Sequence, residues 1–363
     1  MLSRYAECML GIDPRAARAA WTVFLLALLI AAAYAIREIL AVFVIALLFG
    51  YLLSPLVGLV ERFTPRRVSF TFALAIVYLI LIGIIIGVGL TIGARLGDEA
   101  NSLANQLPAL LKNGHALDQI PVPSWLQPVR ARIDQTIQHE LNSGGTNVLP
   151  YVKSLGGHLI SGAKYIVYIV LVPILAFFFL KDGRGMQEDI VNSLVDEPRK
   201  PVVRSILEDI DVLLGEYIRA LVLLSISGFI ATSMFLGITG APYAVLLSVF
   251  SALGEFLPVV GPAGAGILVL VISALAGYAH PLWYLVFWIA FRMFQDYMLS
   301  PYVMGRGVKL NPMLVLFGVF AGDQIAGVVG MFLSVPVLAT LRVVFVRLRR
   351  ARARDLVGVQ PPV

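Results

Sequence analysis

Cysteine and charge are the two features that this sequence has least of. Its 363 residues include one cysteine, Cys8, which excludes a disulfide within the chain and a cysteine-based metal site. No two of the four histidines have the spacing of zinc ligands. Charged residues make up 14% of the chain, against about a quarter in an average soluble domain. These absences argue against a secreted disulfide scaffold and a zinc protein.

The sequence also lacks the usual signatures of an enzyme. It contains neither a nucleophile with an accompanying base nor a Walker A lysine motif, so we expect no catalytic residue, no cofactor, no metal and no ATP-driven step. The glycine-rich stretch 261–266 has no strand–turn–helix unit around it. It therefore favours close packing of helices over phosphate binding.

Apolar residues dominate instead. They make up 59% of the chain, and the mean hydropathy is +0.88, which predicts an all-α, polytopic membrane helical bundle with about eight spans. Lys and Arg exceed Asp and Glu by 28 to 22. In a membrane protein this excess indicates cytoplasmic loops and anionic lipid headgroups, so we expect no nucleic-acid partner.

The first half of the chain divides into two predicted parts. Residues 1–96 form a basic segment followed by three transmembrane helices, the first two of which make a tight hairpin across Arg37-Glu38. A cleaved signal peptide is the alternative for the first helix. Residues 97–157 form an extracytoplasmic insertion with an amphipathic helix at about 126–141. The insertion lies on the membrane or against a neighbouring subunit, or it is a solvated spacer.

Three parts follow. Residues 158–217 contain a fourth span, which ends at Lys181-Asp182-Gly183-Arg184, and an amphipathic linker helix on the cytoplasmic surface that leads into the fifth span. Residues 218–347 form the transport core. Residues 348–363 form a basic cytoplasmic tail, which we expect to bind anionic lipid.

The transport core contains an internal repeat. Residues 242–250 match residues 312–320 at five of nine positions, and a one-residue gap then aligns Val259-Val260-Gly261 with Val328-Val329-Gly330. From Pro242 to Leu257 the chain can reach about 24 Å as a helix, which is short of the ~30 Å hydrocarbon core. Each copy therefore predicts a re-entrant helical hairpin, with these hairpin-break residues: Pro258, Gly261, Pro262, Gly264, Gly327, Gly330, Pro312 and Pro336.

The distribution of basic residues predicts the orientation. With both termini in the cytoplasm, cytoplasmic pieces hold 20 Lys and Arg residues and outer pieces hold 7. One span separates the two hairpins, so they enter from opposite faces. The repeats are therefore predicted to be inverted, as alternating access requires.

Ionisable residues at membrane depth are costly and usually face a partner or an aqueous cavity. Glu255 and Asp323, with Gln324 beside it, fall at the tips of the two hairpins, and Arg292 and Asp296 lie on the span between them. We predict that these five residues line a path for a substrate and a coupling ion.

Each of these residues also has a second interpretation. Glu255 can be a structural partner of Arg292, and Asp323 can cap a helix near the interface. Arg292 and Asp296, four residues apart, can form a fixed pair, or Arg292 can switch between Asp296 and Glu255 as a gate.

Several ordered motifs resemble the autoinducer-2 exporter family of predicted permeases. They are Phe256-Leu257-Pro258-Val259-Val260-Gly261-Pro262, Leu299-Ser300-Pro301, Val308-Lys309-Leu310-Asn311-Pro312 and Gly327-Val328-Val329-Gly330, with Phe179-Leu180-Lys181-Asp182-Gly183 and Tyr217-Ile218-Arg219-Ala220 upstream. The resemblance implies a bacterial inner-membrane protein of about eight spans that forms a homo-oligomer, with a pentamer as one form. Members have been assigned export of autoinducer-2 or sodium/proton antiport. The family pattern also accepts Asn at the position of Glu255 and is variable at Asp323.

The sequence thus predicts a permease that exports a small polar solute, such as an autoinducer-2-like molecule, driven by a proton or sodium gradient. A sodium/proton antiporter, a passive channel and a membrane scaffold without transport activity remain as alternatives.

Overall fold

The computed structural model describes residues 14–63, 70–112, 163–304 and 310–357. Contacts divide the chain into two units, Met1–Ile45 and Ala46–Val363. The predicted amphipathic helix of the insertion lies outside the described residues.

The first three helices follow the predicted apolar runs. Helix α1 covers Pro14–Ala35, α2 covers Arg37–Phe63, and α3 covers Phe70–Lys112. The predicted tight hairpin across Arg37-Glu38 is wrong, because only Ile36 separates α1 from α2. Helical hydrogen bonds continue across it, from the Ile36 N–H to the Ala32 oxygen at 3.1 Å and from the Leu40 N–H to the Ile36 oxygen at 2.9 Å. At 43 residues α3 is about 64 Å long, so it extends well beyond the hydrocarbon core, as its length in the sequence predicted.

The middle of the chain differs from the prediction in two ways. Helix α4 runs from Ala163 to Leu194, straight through the charged run at which the fourth span is predicted to end. Charge ends the part of a helix that can lie in lipid, but it does not break the helix itself. Second, the linker helix and the fifth span are not separate, because α5 is continuous over Lys200–Ile238. The break lies earlier, at a 3₁₀ turn over Glu197–Arg199, where Pro198 and Pro201 remove backbone donors.

The first copy of the repeat is an antiparallel helix pair. Helix α6 covers Ala244–Gly254 and α7 covers Val260–Leu275, so the arms are about 17 and 24 Å long. The pair packs against α5 and against α8, which covers Pro281–Phe294, in a core made of Leu236, Ala241, Leu247, Val269, Tyr278 and Tyr284. Helix α8 continues through a π-helical turn, Gln295–Leu299, into α9, Ser300–Met304.

The second copy, α10, covers Pro312–Val357 but is not one straight helix. Ala326 and Gly327 have non-helical dihedral angles, and a Cβ on Gly318 would lie 2.5 Å from Cδ1 of Leu338. In an uninterrupted helix these two residues would lie about 30 Å apart. The chain therefore reverses at 326–327, so residues 312–325 and 328–357 form a second antiparallel pair.

The architecture of the described residues is all-α, as predicted. Within the described residues, five stretches are long and apolar enough to cross a membrane: Arg18–Ala35, Arg37–Phe63, Phe70–Gln106, Glu197–Ile238 and Pro312–Ala353. The last of these folds back at 326–327, and shorter apolar helices accompany the five. A second core of α2, α3 and α4 contains Leu53, Val57, Ala73, Leu74 and Val77. The chain is a multi-pass membrane protein.

Candidate functional site

Three charged side chains meet at the tip of the first helix pair. Arg292 donates from Nη1 to both carboxylate oxygens of Glu255, at 3.2 Å each. It also contacts Asp296, with Nε donating to Oδ2 at 3.0 Å and Nη2 lying 2.6 Å from Oδ1. In this structure Arg292 therefore pairs with Asp296 and is also the structural partner of Glu255, because it binds both carboxylates at once. With two carboxylates and one guanidinium, this charged cluster of Glu255, Arg292 and Asp296 carries one excess negative charge when all three are ionised.

Exposure falls along the cluster. The side chain of Asp296 is 48% exposed, that of Arg292 is 31% exposed and that of Glu255 is 9% exposed. Moving an ion from Asp296 to Glu255 would therefore take it from an accessible to an enclosed position. An enclosed carboxylate with excess negative charge nearby is a place where a small cation or a proton can bind.

Gln295 lies beside the cluster, and sequence reasoning did not identify it. The residue is 2% exposed, and its Nε2 donates to the backbone oxygen of Leu224 at 3.1 Å and to Oγ of Ser227 at 3.3 Å. Gln295 begins the π-helical turn, in which the Ser300 N–H reaches back to the oxygen of Gln295. Such turns occur often at functional sites because they redirect side chains within a helix. Here the turn places Gln295 against α5.

Close glycine pairs hold the arms of both helix pairs together. In the first pair, a Cβ on Gly254 would lie 2.8 Å from the oxygen of Gly261, and a Cβ on Gly261 would collide with the oxygen of Gly254. In the second pair, Gly322 and Gly330 make the same kind of contact. A Cβ on either glycine would collide with the carbonyl oxygen of the other. The repeated motif of the sequence therefore corresponds to a repeated local packing arrangement.

Each turn also contains one residue with positive φ. Val259 has φ 64° and ψ −55°, and the Val260 N–H donates to the oxygen of Pro258 at 2.7 Å, which closes a γ-turn. A β-branched residue is strained in this conformation. At the second turn the residue with positive φ is Gly327, with φ 58°. The first turn therefore stores backbone strain that the second avoids by using glycine.

The two turns approach each other through an aromatic contact. The rings of Phe256, next to Glu255, and Phe332, two residues after Gly330, have centroids 6.0 Å apart. Asp323 and Gln324 are exposed on the second turn of this single chain. The structure thus brings three of the five predicted path residues into one bonded cluster and places the other two on the opposing turn.

The remaining hairpin-break residues have different positions. Pro258 lies in the first turn, and Pro262 is buried in the first turn of α7. Pro312 starts α10, where the side chain of Asn311 accepts from the Met313 N–H at 2.9 Å, and Pro336 lies inside the return arm. Gly264 and Gly327 were both expected to allow a close backbone approach, but a Cβ at either position would meet nothing within 4 Å.

The C-terminal extension of α3 holds the start of α6. Oε2 of Glu99 accepts from the Leu246 N–H at 2.8 Å, and Oε1 of Gln106 accepts from the Tyr243 hydroxyl at 3.1 Å. Helix α6 has no side-chain cap of its own, since Tyr243 stands at its N-cap position. Glu99 therefore caps a helix that begins more than 140 residues later in the chain.

Removing this cap should loosen α6 locally. In Glu99→Ala we expect amide hydrogen exchange at Leu246 to be about 2- to 30-fold faster, the factor that corresponds to a lost cap of about 0.5–2 kcal/mol. Asp98→Ala, which removes the exposed neighbouring carboxylate, is the control. Equal exchange at Leu246 in both variants would show that the Glu99 contact does not stabilise α6.

The sequence is similar to those of known transport proteins. A family model described as "AI-2E family transporter" matches residues 23–350. The chain is 24% identical to "Putative transport protein YueF" and 25% identical to "Putative transport protein YrrI", both of Bacillus subtilis (strain 168). These matches cover 86% and 87% of the chain, and 85% and 88% of the two relatives. A third relative, "Putative transport protein MT0215" of Mycobacterium tuberculosis, is 29% identical over 55% of the chain and 57% of its own length.

Proposed function

This chain belongs to the AI-2E transporter family, and on that premise we propose that it moves a small polar solute across the bacterial inner membrane, driven by a cation gradient. The two antiparallel helix pairs act in this proposal as inverted re-entrant hairpins, which enter the bilayer from the two faces and meet near its centre. Both termini are cytoplasmic, and the protein works as a homo-oligomer.

One observation carries the proposal, namely that the charged cluster joins the tip of one helix pair to the adjacent span. Glu255 belongs to the tip, while Arg292 and Asp296 belong to α8 and its π-helical turn. A proton or sodium ion that binds Glu255 neutralises the charge that attracts Arg292. Arg292 keeps its bidentate contact with Asp296, so the guanidinium is never left unpaired.

The link between the tip and α8 thus depends on whether a cation occupies Glu255. When the link opens, the tip is free to move against α8. When the cation leaves, the ion pair forms again and the tip returns. Ion occupancy is thereby coupled to a conformational change, as a gradient-driven transporter requires.

The packing around the tip allows the whole tip to move but resists bending within it. The glycine pair Gly254 and Gly261 joins the two arms at backbone contact, so the arms move as one body. Phe256 contacts Phe332 of the second helix pair. A displacement of the first tip therefore changes the contact between the two turns, where we place the solute.

The test uses purified full-length protein in liposomes. Candidate solutes, including autoinducer-2, are loaded on one side, and proton and sodium gradients are imposed separately. We expect one gradient to drive the solute against its concentration difference, and an ionophore that collapses this gradient to stop uphill movement.

Other results identify other mechanisms. Solute flux that only follows its own concentration difference indicates a passive channel. Exchange of sodium for protons without any solute indicates an antiporter. Either result would contradict solute export by cation coupling.

A further inference from the structure

A groove runs along the last turns of α10, apart from the charged cluster. Phe345, Val346, Arg349, Arg350 and Ala353 line a concave space of about 320 Å³, which we call the tail groove. Alanine at 353 leaves the groove open at its far end, and the side chains of Arg349 and Arg350 are exposed. The proposed transport function makes no use of this groove.

The level of the groove follows from the charges of the return arm. Residues 343–346 are apolar, whereas residues 347–354 contain five arginines. Arginine is costly in the hydrocarbon core, so the helix has left the core by about residue 347. Phe345 and Val346 lie on the lipid side of this level, and Arg349 and Arg350 lie one turn further out.

An ion pair fixes the helix at this same level. Arg347 donates from Nε and Nη2 to the two carboxylate oxygens of Asp209 on α5, at 2.5 and 2.8 Å. This bidentate geometry anchors α10 to α5. It also compensates the charge of Arg347, whereas the charges that line the tail groove belong to Arg349 and Arg350.

We propose that the tail groove binds the headgroup of an anionic phospholipid. Two guanidinium groups side by side match a phosphodiester, to which arginine donates in a planar, two-pronged geometry. The apolar end of the groove then contacts the first carbons of an acyl chain. Along the helix the apolar residues come first and the arginines follow one turn later. A lipid of the adjacent leaflet has the same arrangement, with its acyl chain beside the apolar residues and its headgroup beside the arginines.

A phospholipid explains both halves of the groove. Inorganic phosphate would use the arginines but would leave the exposed Phe345, at 66% relative exposure, without a contact. A zwitterionic lipid carries no net charge to offset the two guanidinium groups. An anionic phospholipid supplies both the charge and the apolar chain.

The experiment measures phospholipid binding to the intact protein. Full-length protein in detergent is titrated with phosphatidylglycerol or phosphatidylcholine, and bound lipid is counted by native mass spectrometry. We expect one phosphatidylglycerol site that is at least about tenfold weaker in Arg349→Gln/Arg350→Gln, because two charge contacts are lost. Millimolar inorganic phosphate should not displace the lipid.

A charge-matched control separates a site from general attraction to basic charge. Arg352→Gln/Arg354→Gln also removes two arginines from this helix, and the described residue of the two, Arg352, does not line the groove. We expect this variant to bind phosphatidylglycerol as the unmodified protein does. Equal weakening in both double variants would overturn the proposal, as would equal binding of phosphatidylcholine or displacement by phosphate.

A third variant tests the shape of the groove at constant charge. Ala353→Trp fills its open end and should weaken phosphatidylglycerol binding although every arginine is retained. Unchanged binding in a folded Ala353→Trp protein would likewise overturn the proposal, since lipid would then be held outside the groove.

Discussion

Glu255→Gln is expected to slow gradient-driven transport strongly while leaving the protein folded. Glutamine keeps the size of the side chain and can still accept from Arg292, but it has no charge for a proton or sodium ion to neutralise. We expect the uphill rate in liposomes to fall between about 5- and 150-fold, the range that typical coupling energies between sites give. The measurement is initial solute uptake under the gradient that drives the unmodified protein.

Asp296→Asn is the matched control for this prediction. Asp296 is bound to the same arginine, but its side chain is 48% exposed and it belongs to the π-helical turn instead of the moving tip. We expect a smaller loss of transport than in Glu255→Gln. Full gradient-driven transport by Glu255→Gln would remove Glu255 from the coupling role and leave it as a structural partner of Arg292.

Gly330→Ala and Gly261→Ala are expected to destabilise the fold strongly. The new Cβ would collide with the backbone carbonyl of the opposing arm, Gly322 for Gly330 and Gly254 for Gly261. A backbone atom cannot move aside as a flexible side chain can. We therefore expect each substitution to cost about 3 kcal/mol, at the upper end for overpacked sites, and to lower the midpoint of thermal unfolding in detergent.

Gly264→Ala provides the comparison. It lies in the same helix as Gly261, but a Cβ there would meet nothing within 4 Å. Alanine is favoured over glycine in a helix by about 1 kcal/mol, so stability should be unchanged or slightly higher. If all three variants unfold at the same temperature, the glycine pairs do not hold the arms together.

Apolar runs in the sequence were sufficient to predict the helices, but charge was a poor guide to where they end. The charged run from Lys181 to Arg184 was expected to end the fourth span, and α4 continues to Leu194. A membrane span must end where charge begins, whereas a helix ends only where its backbone bonds are broken. Proline at 198 and 201 was the better signal for the actual break.

The part of the candidate site that could be predicted is the contact between residues on one helix. Arg292 and Asp296 are four residues apart, so their contact follows from helical geometry alone. The contact of Arg292 with Glu255 was one of two interpretations, because it depends on how the first tip packs against α8. That packing includes the contact of Gly254 with Gly261, and the glycine-rich stretch 261–266 predicted close packing without identifying the partner.

Contacts between distant parts of the chain could not be predicted. Glu99 caps α6 across 147 residues, and Gln295 reaches Leu224 across 71. Neither Glu99 nor Gln295 lies in a sequence motif that would indicate its partner. Gln295 carries one general signal, which is that a polar side chain in an apolar helix usually has a buried partner.

The most direct test of the central claim is the accessibility of the two turns from each side of the membrane. The only natural cysteine is Cys8, so a Cys8→Ser background allows single cysteines at Leu253 and Gln324, which are exposed near the two tips. A membrane-impermeant maleimide is applied from either side of oriented vesicles. We predict that both positions are labelled from both sides, and that reversing the cation gradient shifts the labelling from one side to the other. Labelling of each position from one side only, whatever the gradient, would contradict transport through a site between the two turns.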